Sequence, residues 1–245
     1  MKLIDTHCHL NFKDFDKDRD KIIGLCLDND INIINIGVDY ESSKQVIELA
    51  EKYKGVYACV AIHPHNVGKE KFNLKELAKK AIGIGETGLD YAFCENDKKL
   101  QELQKKVFKQ HLELAQELKK PVIIHSRRLF PEILEIVKEY NIKAVLHCYM
   151  GRWSYAQEYL KLGYYLSFTG LICYARDYDK VIKNCPLDRI LVETDAPYLS
   201  PIKGERNTPL NIKAIVEKIA EIKGESFEKT AKQTTENAKK LFNLV

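Results

Sequence analysis

The strongest constraint on this chain is a repeated alternation of short, β-rich apolar runs with longer stretches of helical periodicity. The apolar runs fall at 3–6, 33–38, 56–62, 81–85, 122–125, 144–147, 164–168 and 190–193. Amphipathic stretches separate them, around 17–29, 42–53, 72–80, 97–119, 130–140, 153–162 and 177–184, and two further helices at about 209–223 and 226–243 close the chain. Alternation of this kind predicts a parallel sheet, because consecutive parallel strands need a crossover helix. Eight strands are enough to close a barrel, and 245 residues is near the length typical of a (β/α)8 TIM barrel. A doubly wound open sheet is the competing architecture, but no GxGxxG or P-loop pattern follows the first run.

No internal repeat, low-complexity segment or Pro/Ser/Gly-rich linker divides the sequence, so one domain over 1–245 is expected. A net charge of +4 neither demands nor excludes nucleic acid. The seven cysteines are dispersed without a CxxC pair, which reads as reduced thiols rather than a disulfide framework. The chain begins without a charged leader and apolar region, and no apolar run approaches the ~20 residues of a membrane span. A soluble, cytoplasmic protein with no membrane association is the expectation.

Chemistry collects at one end of the predicted strands. Of the seven histidines, His7, His9, His63, His65, His125 and His147 lie at or just after strand C-termini, and only His111 sits inside a helix. In a barrel, that is the face where βα loops build the active site. One such histidine is ordinarily a satisfied core or surface residue; six on four strands are not explained that way. Side chains alternate along a strand, so His7 and His9 point to one side and offer two imidazoles to one ion. Cys8 and Cys148 then pack toward the helices as small hydrophobes, with a thiolate role the lesser alternative. Glu86 is expected to end the fourth strand and Asp195 the eighth. A carboxylate at an apolar strand tip needs a pair, hydrogen bonds or a metal. His7, His9, Glu86, His125, His147 and Asp195 make six ligands, too many for one tetrahedral ion and suited to two divalent ions bridged by Glu86. Strand alternation further predicts that Asp5 and Glu193 point inward one layer deeper, able to accept the free ring N–H of a ligand histidine. The alternative is that one of them faces a helix and pairs with a lysine or arginine.

Assembled, these residues resemble the TatD family of metal-dependent deoxyribonucleases. The likeness runs nearly the whole length, through DTHCHL at 5–10, IHPH at 62–65, GETGLDY at 85–91, PVIIHSR at 121–127, HCY at 147–149, LVETDAPYL at 191–199 and RN at 206–207. The resemblance implies a TIM barrel, a divalent-metal centre and 3′–5′ exonuclease or related phosphodiesterase activity on DNA. It assigns His7, His9, Glu86 and Asp195 to one ion, and Glu86, His125 and His147 to the other. Three departures stand out: MGRW after HCY where the family often has a serine–glycine pair, Arg128–Leu129 after IHSR, and Thr208 after RN. They leave the ligands untouched and bear on loop contacts and substrate preference.

On this reading two ions polarise a phosphodiester, Asp195 orients the attacking water and takes its proton, and Glu86 bridges. His63 contacts the phosphate or leaving oxygen; His65, Arg127 and Arg206 join it as substrate-binding residues, the arginines because they adjoin ligand motifs. Lys69, Arg128, Arg152, Arg176 and Lys203 lie in loops on the same face, where positive charge would meet a phosphate backbone, although a solvated surface explains several equally well. Tyr91, Tyr149, Trp153 and Tyr198 are there too, available for base stacking or for core packing. DNA is the expected partner of a monomer, and zinc, manganese or magnesium the expected metals. An amidohydrolase acting on a small amide, lactone or ester is the enzymatic alternative, disfavoured by Glu86 where many of those enzymes carry a modified lysine. A non-catalytic nucleic-acid-binding barrel is the other, disfavoured by the complete ligand set.

Overall fold

The computed structural model describes residues 2–69 and 74–244. Its eight strands are β1 (Leu3–Cys8), β2 (Ile31–Ile36), β3 (Val56–Val60), β4 (Gly83–Leu89), β5 (Val122–Ser126), β6 (Ala144–Leu146), β7 (Tyr165–Phe168) and β8 (Ile190–Val192). They pair in parallel in sequence order. The ring closes where Asp195 N–H donates to His7 O at 2.8 Å and His9 N–H to Ala196 O at 2.7 Å. Helices α1 (Arg19–Asp28), α2 (Tyr40–Lys52), α3 (Lys75–Lys80), α4 (Lys98–Leu118), α5 (Phe130–Val137), α6 (Trp153–Lys161), α7 (Asp179–Asn184), α8 (Ile212–Lys223) and α9 (Phe227–Phe242) alternate with the strands and then close the chain. The expected TIM barrel is what forms. The first two residues of the helix predicted over 72–80 lie outside the described residues. No helix among the described residues is long and apolar enough to cross a membrane.

The apolar residues separate into two packed sets. Leu3, Ile31, Ile33, Val56, Val122, Ile124, Ala144, Leu146, Ile190 and Val192 pack outward against the helices. Ile4, Ile34, Ile36, Ile123, Val145, Tyr165 and Leu191 fill the barrel, whose lower end is closed by Ala238, Leu241 and Phe242 of α9. With one end sealed by hydrocarbon, the polar residues of the strands gather at the other.

Two strands break the alternation. In β4, Ile84 lies opposite Val122 and Thr87 opposite Ile124, so Gly85 and Glu86 together face Ile123. In β1, Asp5 lies opposite Ile33 and Cys8 opposite Asn35, so Thr6 and His7 together face Ile34. Both irregularities are β-bulges, each inserting one residue and reversing the facing of the strand beyond it. The fourth strand, predicted over 81–85, therefore runs to Leu89, and Glu86 lies within it rather than at its end. Two glycines of β4 answer to close neighbours, Gly85 within the bulge and Gly88 beyond it, opposite His125. A Cβ on Gly85 would sit 2.6 Å from Ile123 Cβ, and one on Gly88 2.0 Å from His125 O.

Candidate metal centre

A cavity of about 630 Å³ opens at the C-terminal end of the barrel. His9, His63, His65, Glu86, His125, His147 and Asp195 line it, and His7 lies buried at its floor. Each arrives by its strand: β1 carries His7, β4 Glu86 and β5 His125, and the residues following β1, β3, β6 and β8 supply His9, His63 and His65, His147 and Asp195. Asp195 holds φ 56°, a left-handed backbone that aspartate tolerates better than most residues. Its N–H bond to β1 and a bond from Tyr198 N–H to its carbonyl, both 2.8 Å, hold it there.

The distances define two adjoining groups. His7 Nε2 and His9 Nε2 are 3.2 Å apart, and lie 3.6 and 3.4 Å from Asp195 Oδ1. Glu86 Oε2 is 3.4 Å from His7 Nε2, while Glu86 Oε1 is 2.5 Å from His125 Nδ1 and 3.6 Å from both His63 Nε2 and His147 Nε2. Ligand atoms of His7, His9 and Asp195 all lie within 4.8 Å of one another, as do those of His63, Glu86 and His125. His63, expected to touch substrate, is thus also within ligand range.

These residues fit a divalent cation. His125 Nε2 and Asp90 Oδ1 are buried without hydrogen-bond partners, and imidazole nitrogens and carboxylate oxygens are the donors that zinc, manganese and iron accept. The local field points the same way. Burial raises the Glu86 carboxyl, but His147, His63 and His125 hold it well below the usual range. Asp195 is also held low, burial being outweighed by His9, His147 and His7. Burial pushes His63 down to about 4. It acts on His125 and His147 too, but Glu86 and Asp90 raise the first to about 9, and Glu193, Glu86 and Asp195 raise the second to about 10.

The two deeper carboxylates part company. Glu193 faces inward, with Oε1 2.9 Å from His147 Nδ1 and accepting Cys148 N–H at 2.6 Å. Asp5 does not share the face of His7. It precedes the β1 bulge and stays on the side of Leu3, accepting from Thr194 N–H at 2.9 Å, Thr194 Oγ1 and His7 N–H at 3.2 Å. Among the described residues no histidine ring reaches it, and no lysine or arginine pairs with it. Burial raises its carboxyl to about 8. Cys8 packs outward as expected, whereas Cys148 lines the cavity mouth.

Two substrate assignments also diverge. Arg127 lines the cavity and is more than half exposed, 3.8 Å from Asp90 Oδ2. Arg206 is not among the cavity's lining residues; its guanidinium grips Asp18 and the Asp14 carbonyl. Of the aromatic candidates only Tyr198 lines the cavity. Tyr149 is buried in the core, and Tyr91 donates to Glu132. Sequence reasoning missed Asp90. Buried beside the cavity, it lies 2.7 Å from His65 Nε2 and 3.6 Å from His125 Nε2, and Gln104 of α4 grips its backbone on both sides. With the fourth strand expected to stop at 85, Asp90 falls in a loop; only the strand's extension to Leu89 places it directly after an apolar strand.

A family model described as TatD related DNase matches residues 4–243. The chain belongs to this family. It is 37% identical to the uncharacterized metal-dependent hydrolase YabD of Bacillus subtilis over 99% of each chain. It is 33% identical to the human deoxyribonuclease TATDN3, over 98% of this chain and 94% of that one. Its fold matches the crystal structure of YJJV, a TatD homolog from Escherichia coli, with a TM-score of 0.90 at 28% identity, covering 99% of this chain and 98% of that one. It is a metal-dependent hydrolase of the TatD family.

Proposed function

We propose that this TatD-family hydrolase cleaves DNA phosphodiesters as a 3′–5′ exonuclease, with two divalent cations held by His7, His9, Glu86, His125, His147 and Asp195. The observation that carries this reading is how Glu86 divides its oxygens, one toward His7 and the other toward His63, His125 and His147. A carboxylate so placed joins two neighbouring ligand groups. The name of the human relative, a deoxyribonuclease, supports the substrate class.

Divalent ions bound there supply Lewis acidity toward a phosphoryl oxygen and lower the pKa of water. The chain's own residues supply the rest. Asp195, ionised at the cavity wall, orients a water and accepts its proton. His63, neutral near pH 7, hydrogen-bonds the phosphate or the leaving oxygen. Arg127 and His65 reach over the cavity mouth to the phosphate, with Asp90 fixing His65.

The test is elemental analysis of the purified protein coupled to metal-restored cleavage of 3′- and 5′-end-labelled single-stranded DNA, beside a panel of lactones and amides. Stepwise shortening from the 3′ end is expected, abolished in His125→Ala and in Asp195→Ala. Unchanged cleavage in both variants, or turnover confined to lactones and amides, would sink the reading.

A further inference from the structure

We propose that a second groove beside the metal cavity holds the single-stranded DNA next to the scissile phosphate. This rests on the DNA reading above and adds where the strand runs. The groove, about 530 Å³, lies between the start of α6 and the segment around the start of α7. Met150 lines both the groove and the metal cavity, and its exposed side chain forms their shared wall. A chain can pass from one to the other along the surface.

The lining is built for a polyanion with flat bases. Arg152 and Lys180 are exposed, and among the described residues neither forms an ion pair. Asp177 is the one carboxylate among the lining residues. Trp153 and Tyr178 are anchored in the core at one edge and half-buried, leaving ring surface toward the groove. Cations that track a backbone and rings that accept stacked bases are how single strands are held without sequence preference. Arg152 and Trp153 belong to the MGRW stretch, where this chain departs from the usual serine–glycine pair.

The opposite side of the cavity has the reverse character. The groove there, joined through Phe12 and Val38, is lined by five carboxylates (Asp14, Asp16, Asp20, Asp39 and Glu48) against three cations. Two of those cations are already engaged, Arg19 with Asp16 and Lys52 with Asp20. A phosphate backbone is repelled on that side and drawn to the other, so the asymmetry sets the path.

The experiment measures anisotropy of a labelled phosphorothioate thymidine oligonucleotide, which resists hydrolysis, on the purified protein across a salt series. Turnover of the small diester bis(p-nitrophenyl) phosphate is followed in parallel. Arg152→Glu/Lys180→Glu is expected to weaken binding on the order of tenfold or more. Its log K against log salt should become shallower by about 1.4, for two lost phosphate contacts on a single strand. Arg152→Lys/Lys180→Arg should bind as the parent does, and Trp153→Ala should bind more weakly with the salt slope unchanged. Parental affinity and slope in the glutamate pair would overturn the groove, and equally tight binding of a duplex would overturn its single-strand assignment. Failure of the parent protein, with metal restored, to cleave DNA or the small diester would refute the DNA-hydrolysis reading instead, while the binding series still judges the groove.

Discussion

His7 Nε2 lies 3.4 Å from Glu86 Oε2, and each residue stands second in a pair of strand residues facing a single partner. Strict alternation would turn His7 outward with Leu3, and Glu86 outward with Ile84. The bulge in each strand turns it inward instead. Bulges recur beside active sites because one inserted residue re-aims a side chain without dismantling the sheet.

Gly85→Ala should therefore damage the site as well as the fold. Its φ of 154° and the close approach of Ile123 leave no room for a methyl group. The expected cost is about 1–3 kcal/mol of stability, with Glu86 displaced and bound metal reduced. Thermal melts and elemental analysis check both, and a variant with parental Tm and full metal content would contradict the account of the bulge.

Arg206 holds the loop after β8 to the segment after β1. Its guanidinium reaches both Asp18 oxygens, 3.1 and 2.5 Å away, and covers the Phe15 ring. Beside it, Asn207 is fully buried and donates to Thr194 O and Tyr198 O. Arg206→Ala should leave metal content unchanged and raise hydrogen exchange across 12–18 and 198–207. Weakened DNA binding with parental exchange would return Arg206 to the substrate-binding set.

Glu193 steadies His147 from below. Glu193→Gln should lower metal affinity by about 10–100-fold, as loss of a group that orients a ligand imidazole usually does. Competition with a chromophoric chelator reads this directly. Because an ion bound only by the folded protein adds stability, the metal-dependent rise in Tm should shrink in parallel. Parental affinity would remove Glu193 from the metal centre.

His111, fully buried in α4 against the residues beside His63 and Glu86, gives the protein a pH-sensitive stability. Its Nε2 accepts Ile62 N–H at 3.1 Å, so the neutral ring's proton sits on Nδ1 and is donated to Thr87 Oγ1 at 2.8 Å. Burial lowers its pKa from 6.5 to about 3. Between those values the unfolded chain binds the extra proton, so stability falls as pH drops, by up to about 1.4 kcal/mol per unit from this group. His111→Gln, whatever its cost at pH 7, should flatten the decline in unfolding free energy between pH 6 and 4 measured by urea titration. An unchanged slope would exclude His111 as the source.

The alternation of apolar runs determined a parallel sheet with crossover helices, and eight strands in 245 residues are the number and length that close a ring. The polar residues at strand ends, His125, His147, Glu193 and Asp195 among them, determined which end carries the chemistry, since alternation alone orients those strands. Tertiary structure decided the rest. The bulges that turn His7 and Glu86 inward, and so part His7 from Asp5, are differences of register between two strands, which neither strand records by itself. Arg206 was drawn to Asp18, 188 positions away, rather than to the cavity, and Asp90 met His65 and His125 across neighbouring strands. A side chain's own strand sets which way it can point; its partner is set by strands brought alongside only when the barrel closes.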